Sequence, residues 1–443
     1  MRRRQSWTSL RGSWGMPNNN FQDSLIGLLP NNWEIRTVES LGKVITGTTP
    51  RTSHSEFYGG DIPFVSPADL GDKRYISRTQ TTLTNEGVKQ ARLLPPDSIL
   101  VTCIGILGKV GQAQTTLTTN QQINGFVPLS EIDASFTYWV MHLLKAQLQV
   151  KAGLQVVPIV NKSTFSRLLL PLPPLPEQRR IAEILDAADA AIWRTERVIV
   201  KLRDLKAGLL HDLLTRGLDT AGRLRDPQAH PEQFKDSPLG RVPREWEASH
   251  LSDIAKRITS GSRGWAAYYS DIGPRFLRIG NLTREHINLR LDNVVHVQPP
   301  QGSEGSRTVV QEGDLLISIT ADLGVIGVIP SGFGEAYVNQ HIALVKVDVS
   351  KVNPRWVGMY LAGAGAGQNQ FYRLNDMGAK SGLNLPTVGA VTIALPPRRE
   401  QDAITNILDF HDTRIQAEQT TLAKLRQVKQ GLMDDLLTGR VRV

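Results

Sequence analysis

Residues 173–215 read PPLPEQRRIAEILDAADAAIWRTERVIVKLRDLKAGLLHDLLT, and residues 396–438 read PPRREQDAITNILDFHDTRIQAEQTTLAKLRQVKQGLMDDLLT. The two segments align without a gap at an offset of 223, and 20 of the 43 positions are identical, including Glu177/Glu400, Gln178/Gln401, Asp186/Asp409 and Lys206/Lys429. Self-similarity over that length means that one structural unit is written twice. Each copy opens on a corner. Pro171, Pro173, Pro174 and Pro176 hold the first copy extended and remove backbone donors. A long helical pattern then begins at once, with Pro176 in the first turn, where proline is tolerated, and Glu177 where an acidic group favours a helix N-terminus. A stiff joint present twice fixes a globular part to a helix.

The repeat continues upstream more loosely. LLPNNWE (28–34) echoes RVPREWE (241–247), IPFVSPADL (62–70) echoes PRFLRIGNL (274–282), DSILVTCIGILGKVG (97–111) echoes DLLISITADLGVIG (314–327), and NQQI (120–123) echoes NQHI (339–342). The offset drifts from 213 to 223, so the two globular parts differ by loop insertions. Short β-branched runs such as 98–103 and 315–320, set between Gly, Pro, Asn and Asp clusters, predict strands. Residues 137–149 and 354–367 are the best helical segments inside the globular parts. NPRW (353–356) reads as a helix entry, and the Pro- and Gly-rich stretch 219–243 reads as an exposed connector. The resulting division is a tail (1–27), a first globular domain (28–172), a first spacer helix (173–217), a linker (218–242), a second globular domain (243–395) and a second spacer helix (396–440).

Along the spacers the apolar residues recur at heptad spacing. The first copy has Ile181, Leu185, Ala188, Ile192, Ile199, Leu202, Leu209 and Leu213; the second has Ile404, Leu408, Ile415, Leu422, Leu425, Leu432 and Leu436. So narrow a stripe on so long a helix needs a partner. Each helix could dock on its own globular part; the favoured expectation is that the two pack on each other as a coiled coil, with Lys206 and Lys429 at interrupted positions fixing register. The fold class is therefore mixed α+β or α/β, with two globular domains at opposite ends of an antiparallel two-helix coiled coil and a pseudo-twofold internal repeat.

The chain has 443 residues, 51 Lys+Arg against 42 Asp+Glu, and one cysteine. The net charge of +9 points to a polyanionic partner, with nucleic acid the obvious one. The surplus lies in the first half: residues 1–170 hold 17 basic and 11 acidic residues, whereas 243–393 hold 14 and 13. Cys103, inside an apolar run, reads as a small core residue, and a single cysteine leaves no disulfide framework or Cys-based zinc site. No run of eighteen apolar residues suggests a membrane span, and the start lacks the apolar core of a secretory signal, so a cytoplasmic location is expected. GILGKVG (105–111) lacks the spacing of a phosphate loop, and no metalloprotease, nucleophile-elbow or acidic metal motif occurs. No catalytic residue and no metal ligand is expected; His54, His286 and His341 read as surface or core residues.

With these features in place, the duplicated PPLPEQ–IA–LD–D–I helix resembles the specificity subunit of type I restriction–modification systems. TGTTP and YGGDIPFVSPADL (46–70), TTNQQ (118–122) and NKSTF (161–165) strengthen the resemblance, which covers roughly residues 28–440; the second half keeps the frame but not the GGDIP core. The resemblance implies two target recognition domains that each read half of a bipartite, asymmetric DNA site, with helices that set the unread gap. It also implies docking of two modification (methyltransferase) and two restriction (translocase–nuclease) subunits. S-adenosylmethionine, ATP and Mg would then sit on those partners and none in this chain. Candidate DNA contacts in the first domain are Thr48, Thr49, Arg51, Ser53, His54, Lys73, Arg74 and Arg78. In the second they are Ser262, Arg263, Arg275, Arg278, Asn281, Arg284 and Arg290. Asn120/Gln121 and Asn339/Gln340 recur in both domains, which suits a framework role. Two alternatives remain at this point: a coiled-coil adaptor with two heads that do not bind DNA, and a specificity subunit of a methyltransferase lacking a nuclease.

Overall fold

The computed structural model describes residues 21–443 except 72, 154–155, 262, 300–301, 364–365 and 377–381. The chain divides into two units. The first holds the described residues up to Thr195 together with Thr421–Val443, and the second is Glu196–Thr420.

In the first unit a five-stranded sheet runs in the order Gly42–Thr46, Ile123–Pro128, Ile99–Thr102, Val110–Ala113, Tyr75–Ile76. Beside it is a four-stranded sheet in which Tyr58–Val65 pairs in parallel with Leu117–Thr119. The second unit repeats this order with Ala255–Ser260, Ile342–Val347, Leu315–Ser318 and Ile326–Val328, and with Tyr269–Leu277 parallel to Ala336–Val338. The β-branched runs are buried throughout: Ile99, Leu100 and Val101 have no exposure, nor do Leu315, Leu316 and Ile317. Continuous burial of that kind is what a central strand covered on both faces requires. The helix expected at 137–149 is two helices, Ala134–Met141 and Leu144–Ala152. Asn353 caps Pro354–Ala362, its side chain accepting from the N–H groups of Arg355 and Trp356.

Two boundaries differ from the sequence reading. Phe21–Ser24 pairs with Gly27–Pro30, and Phe234–Ser237 pairs with Gly240–Pro243, so each unit opens on a hairpin. The tail therefore ends before Phe21, and the linker 218–242 is largely ordered structure. The hairpins obey the 213-residue offset, with Phe, Asp, Ser, Gly and Pro shared. The sequence reading puts them in a tail and a linker because four-residue strands around a turn glycine at positive φ (Gly27 at 114°, Gly240 at 92°) are too short to show an alternating pattern. Only a few of their side chains, Leu29, Phe234 and Val242 among them, reach the core.

The proline corner builds the joint. Leu169–Leu172 pairs with Glu34–Thr37, and Thr392–Leu395 pairs with Glu247–His250. These are two-stranded sheets, so Pro171 lies on an edge strand where the missing N–H is tolerated. The long helices are Leu175–Thr215 and Arg398–Leu436. Gln178 turns inward, donating to the Pro173 carbonyl at 2.9 Å and accepting from the Asp133 N–H at 3.1 Å. Gln401 does the same with Pro396 and Asn353, both at 2.8 Å. Glu177 accepts from the Trp33 indole at 3.1 Å and from Arg442 at 2.6 Å; Glu400 accepts from the Trp246 indole at 3.2 Å and from Arg225 at 2.6 Å.

Within each unit the two helix segments run antiparallel. In the first unit Glu177 meets Arg442 and Asp189 meets Lys429; in the second, Lys206 meets Asp412 and Glu400 meets the Leu218 N–H. The lysines at the interrupted heptad positions are thus paired with an aspartate on the facing helix, and Asp189 and Asp412 are themselves repeat equivalents. The apolar stripe is divided between two tasks. Ile181, Leu185, Leu432 and Leu436 belong to the core of the first globular domain, and Leu209, Leu213, Ile404 and Leu408 to that of the second. The expectation of a pure two-helix stripe is corrected there, since the helix ends also dock on the domains. Ile192, Ile199, Leu202 and Ile415 are buried, and Leu422 and Leu425 are half-buried.

The Lys206–Asp412 side chains are 14% and 9% exposed, so removing one partner leaves a buried charge unmatched. Asp412→Ala is expected to cost about 3 kcal/mol, whereas Lys206→Met with Asp412→Leu returns to within about 1 kcal/mol of the parent. Thermal denaturation of the three proteins decides this; an Asp412→Ala protein as stable as the parent contradicts it. A second expectation concerns His142, whose Nε2 is buried without a hydrogen-bond partner. Burial first, and the Lys429 charge second, push its pKa down to about 4. The folded value lies below the unfolded value of about 6.5, so the unfolded chain takes the proton first and stability is lost as pH falls from about 6.5 through about 4. Denaturation midpoints across that range should fall less steeply for His142→Leu than for the parent.

Candidate DNA interface

In the first unit, residues 47–49 and the turn 119–122 meet at one rim of the main sheet. The Gly47 N–H donates to the Ile123 carbonyl and the Thr48 N–H to Thr119, which lays residues 47–49 along the turn 119–122. The Thr49 hydroxyl bonds the Gln121 side chain. Gly47 has no room for a side chain, because a Cβ would lie 2.0 Å from the Asn120 carbonyl oxygen. Arg51 and Ser53 are exposed. His54 is half-buried, stacked on Phe57 with Nδ1 2.7 Å from Glu56. Lys73 and Arg78 are exposed and lie on a separate segment.

Arg74 differs from its neighbours. Its side chain is 5% exposed, ion-paired with Asp186 of the first long helix and bonded to Gln112 at 2.8 Å and Ser135 at 2.6 Å. The guanidinium also lies 4.5 Å from the Tyr138 ring centroid. Arg74 is therefore a structural clamp and not a DNA contact: a buried guanidinium must satisfy its five donors inside the protein. Sequence reading grouped it with Lys73 and Arg78 because burial of one basic residue among three leaves no local trace.

In the second unit Arg263, Arg284 and Arg290 are exposed and Arg275 and Arg278 half-buried; Ser262 lies outside the described residues. Asn281 is 2% exposed, with its side chain accepting from the Arg278 N–H at 2.9 Å and donating to the Arg290 carbonyl at 2.9 Å. It shapes the loop that carries the arginines and does not reach a ligand, which corrects its assignment as a contact. Arg275 bonds the Phe333 carbonyl, Arg284 pairs with Asp322, and Arg290 with Glu285 at 3.6 Å. The two asparagines of the repeated turn act alike. Asn120 accepts from the Gln122 N–H at 3.0 Å, and Asn339 from the His341 N–H at 3.2 Å. Gln121, which sequence reasoning placed in the framework, is exposed at the rim beside Thr49.

Cys103 is buried, and burial pushes its thiol up to about 12, which leaves it protonated and unreactive at neutral pH. Among the described residues no group of His, Cys, Asp and Glu could hold a metal ion, and no helix is long and apolar enough to cross a membrane.

The model of the type I restriction modification DNA specificity domain matches residues 30–202 and again 243–427. The chain belongs to this family. It is 28% identical to the MjaIX specificity subunit of Methanocaldococcus jannaschii over 60% of this chain and 61% of that one. It is 23% identical to the MjaVIII specificity subunit of the same organism over 94% of both chains, and 21% identical to the EcoKI specificity subunit of Escherichia coli over 94% of this chain and 90% of that one. The S subunit of a type I restriction–modification system from M. genitalium shares the fold, with a TM-score of 0.59 at 17% identity over 95% of this chain and 97% of that one. A chain from a structural study of the assembly of a type I R-M system gives 0.53 at 18% identity over 93% and 99%. The two family matches coincide with the two copies of the frame.

If this specificity chain uses Lys73 and Arg78 on phosphates while Arg74 holds the fold, the three substitutions separate cleanly. Lys73→Ala and Arg78→Ala should each lower the log–log salt slope of DNA binding by about 0.9 and leave stability within about 0.5 kcal/mol. Arg74→Ala should instead cost about 3 kcal/mol of stability, since it removes the buried cation that pairs with Asp186 and bonds Gln112 and Ser135. Fluorescence titration over a salt series and thermal melting read the two effects; equal melting temperatures for all three variants would refute the distinction.

Proposed function

We propose that this chain is the sequence-reading subunit of a type I restriction–modification complex, with each globular domain reading one half of a split, asymmetric duplex site. The observation that carries the reading is the frame present twice: the strand order, the proline joint and the Asn turn are shared, while the rim residues differ between copies. A common frame presents two surfaces in the same way, and unlike rims recognise unlike sequences. Lysines and arginines would bond phosphates, which sets affinity and register; side chains such as Thr48, Thr49, Arg51 and Gln121 would meet base edges in the major groove. The same reading makes the chain non-catalytic and cytoplasmic. Adenine methylation would fall to two modification subunits with S-adenosylmethionine, and translocation and cleavage to two restriction subunits with ATP and Mg. No observation favours the adaptor with heads that do not bind DNA.

The helices Leu175–Thr215 and Arg398–Leu436 each pass uninterrupted from one unit into the other. We therefore assign the unread gap between half-sites to their length. A strain expressing only this chain and its modification subunit should carry methylated adenines in one split motif with two unlike halves, read by methylome sequencing. Methylation in no split motif defeats the proposal. Adding seven residues to both helices lengthens each by about 10 Å, or about three base-pair steps. The gap should grow while both half-site sequences stay the same; a change in the half-sites contradicts the role of the helices.

A further inference from the structure

One turn recurs in both globular domains with the same backbone and a different tip. In the first it follows strand Ile99–Thr102 and in the second Leu315–Ser318. Gly105 and Ala321 are left-handed at φ 75° and 57°, as are Gly108 and Gly324 at 75° and 72°. The Gly108 N–H donates to the Thr102 carbonyl and the Gly324 N–H to Ser318, each at 2.9 Å. The next N–H groups, of Lys109 and Val325, donate to the side-chain hydroxyls of Thr102 and Ser318 at 2.9 and 2.8 Å. Leu107 and Leu323 anchor the turn at 8% and 7% exposure. Between the first left-handed residue and the anchoring leucine stands the tip of the turn, Ile106 in the first domain and Asp322 in the second.

Ile106 is 63% exposed, so the core does not explain it. Its turn is tied into the rim that carries Thr49 and Gln121. The Cys103 N–H donates to the Gln122 carbonyl at 2.8 Å, the Gly105 N–H donates to Pro158 at 2.9 Å, and Ile104 pairs with Ile159. Val156, Val157 and Ile159 add further apolar exposure at 103%, 51% and 47%. The charge carried by these segments is of one sign: residues 98–130 and 134–176 contain no Asp or Glu, and Lys145, Lys151 and Lys162 are exposed. An apolar tip on segments that carry basic and no acidic residues fits a polyanion that also offers apolar groups. Duplex DNA is such a partner, since thymine methyls line its major groove.

We propose that Ile106 is a base-reading residue that packs on a thymine 5-methyl group in the half-site read by the first domain. This rests on the DNA-reading function proposed above. In the second domain the same position is polar, and Asp322 fixes the exposed Arg284 by ion pairing, so that half-site is read there by hydrogen bonding.

The test uses the complex with its modification subunit and duplexes in which each thymine of the methylated motif is replaced in turn by deoxyuridine, which lacks the methyl group. For the parent complex, one replacement should weaken binding about fourfold, the worth of one buried methyl. Ile106→Ala should weaken binding to the unmodified site by at least as much and become indifferent to that replacement, with an unchanged melting temperature. Ile106→Asp should bind more weakly still. The proposal is overturned if Ile106→Ala binds like the parent, if no deoxyuridine affects the parent, or if the effect is the same in both proteins. Loss of the modification subunit from the Ile106→Ala complex would make the patch a protein contact and overturns it equally. Failure of the function itself looks different: the parent complex then methylates no split motif at all.

Discussion

Two carboxylates at the starts of the long helices hold everything else in place. Glu177 and Glu400 are 7% and 8% exposed, and a carboxylate is that deeply buried only when its charge is matched and its lone pairs are filled. Each meets the condition with an indole N–H from the first turn after the opening hairpin and a guanidinium from just beyond the end of the other helix. The hairpin, the helix start and the facing helix end of one unit are thereby tied to a single group. The proline corner delivers the carboxylate to this point, and the inward glutamine beside it closes the corner by bonding the chain before it. Removal of either Glu would leave a tryptophan N–H without its acceptor and take from an arginine its closest carboxylate, at the place where three segments meet.

The frame and the rim follow different rules. Frame residues occur in pairs with the same partners: Asn120 and Asn339, Gln178 and Gln401, Asp189 and Asp412. The asparagines and glutamines bond backbone groups that both copies possess, and the aspartates bond a lysine that is itself repeated, so these side chains cannot vary without loss. Rim residues bond one another or face solvent, as Thr49 with Gln121 and Arg284 with Asp322 do. Nothing in the frame dictates their identity. A protein built in this way can change what it recognises without disturbing how it folds.

Much of this was legible in the sequence because repetition converts similarity into architecture. The helices, the joint, the strand runs and the family resemblance all came from aligned residues. Two kinds of feature were hidden. The opening hairpins bury few of their apolar residues, and their four-residue strands are too short to show an alternation, so they read as a tail and a linker although Phe21 and Phe234 occupy equivalent strands. Burial of single polar residues was also invisible. Arg74 and Asn281 sit in basic or polar stretches, and only tertiary partners (Asp186 for one, the Arg290 carbonyl for the other) distinguish them from exposed neighbours. The heptad stripe was read correctly in spacing and incompletely in destination, because periodicity names an apolar face without naming what covers it.

The first long helix presents Asp186 and the second its repeat equivalent Asp409, and each is bound by an arginine. In the second unit that arginine, Arg355, lies two residues after Asn353, whose N–H bonds Gln401. Counting likewise from Asp133 in the first unit reaches Ser135, which is too short to span the distance; the guanidinium comes instead from Arg74, bonded to that same serine. One charge requirement has thus been met from two places in the chain. In any exchange of recognition domains between relatives, residues 74 and 135 form a linked pair. A crossover falling between them would join a serine to a loop without its arginine, so viable exchange points lie outside that interval.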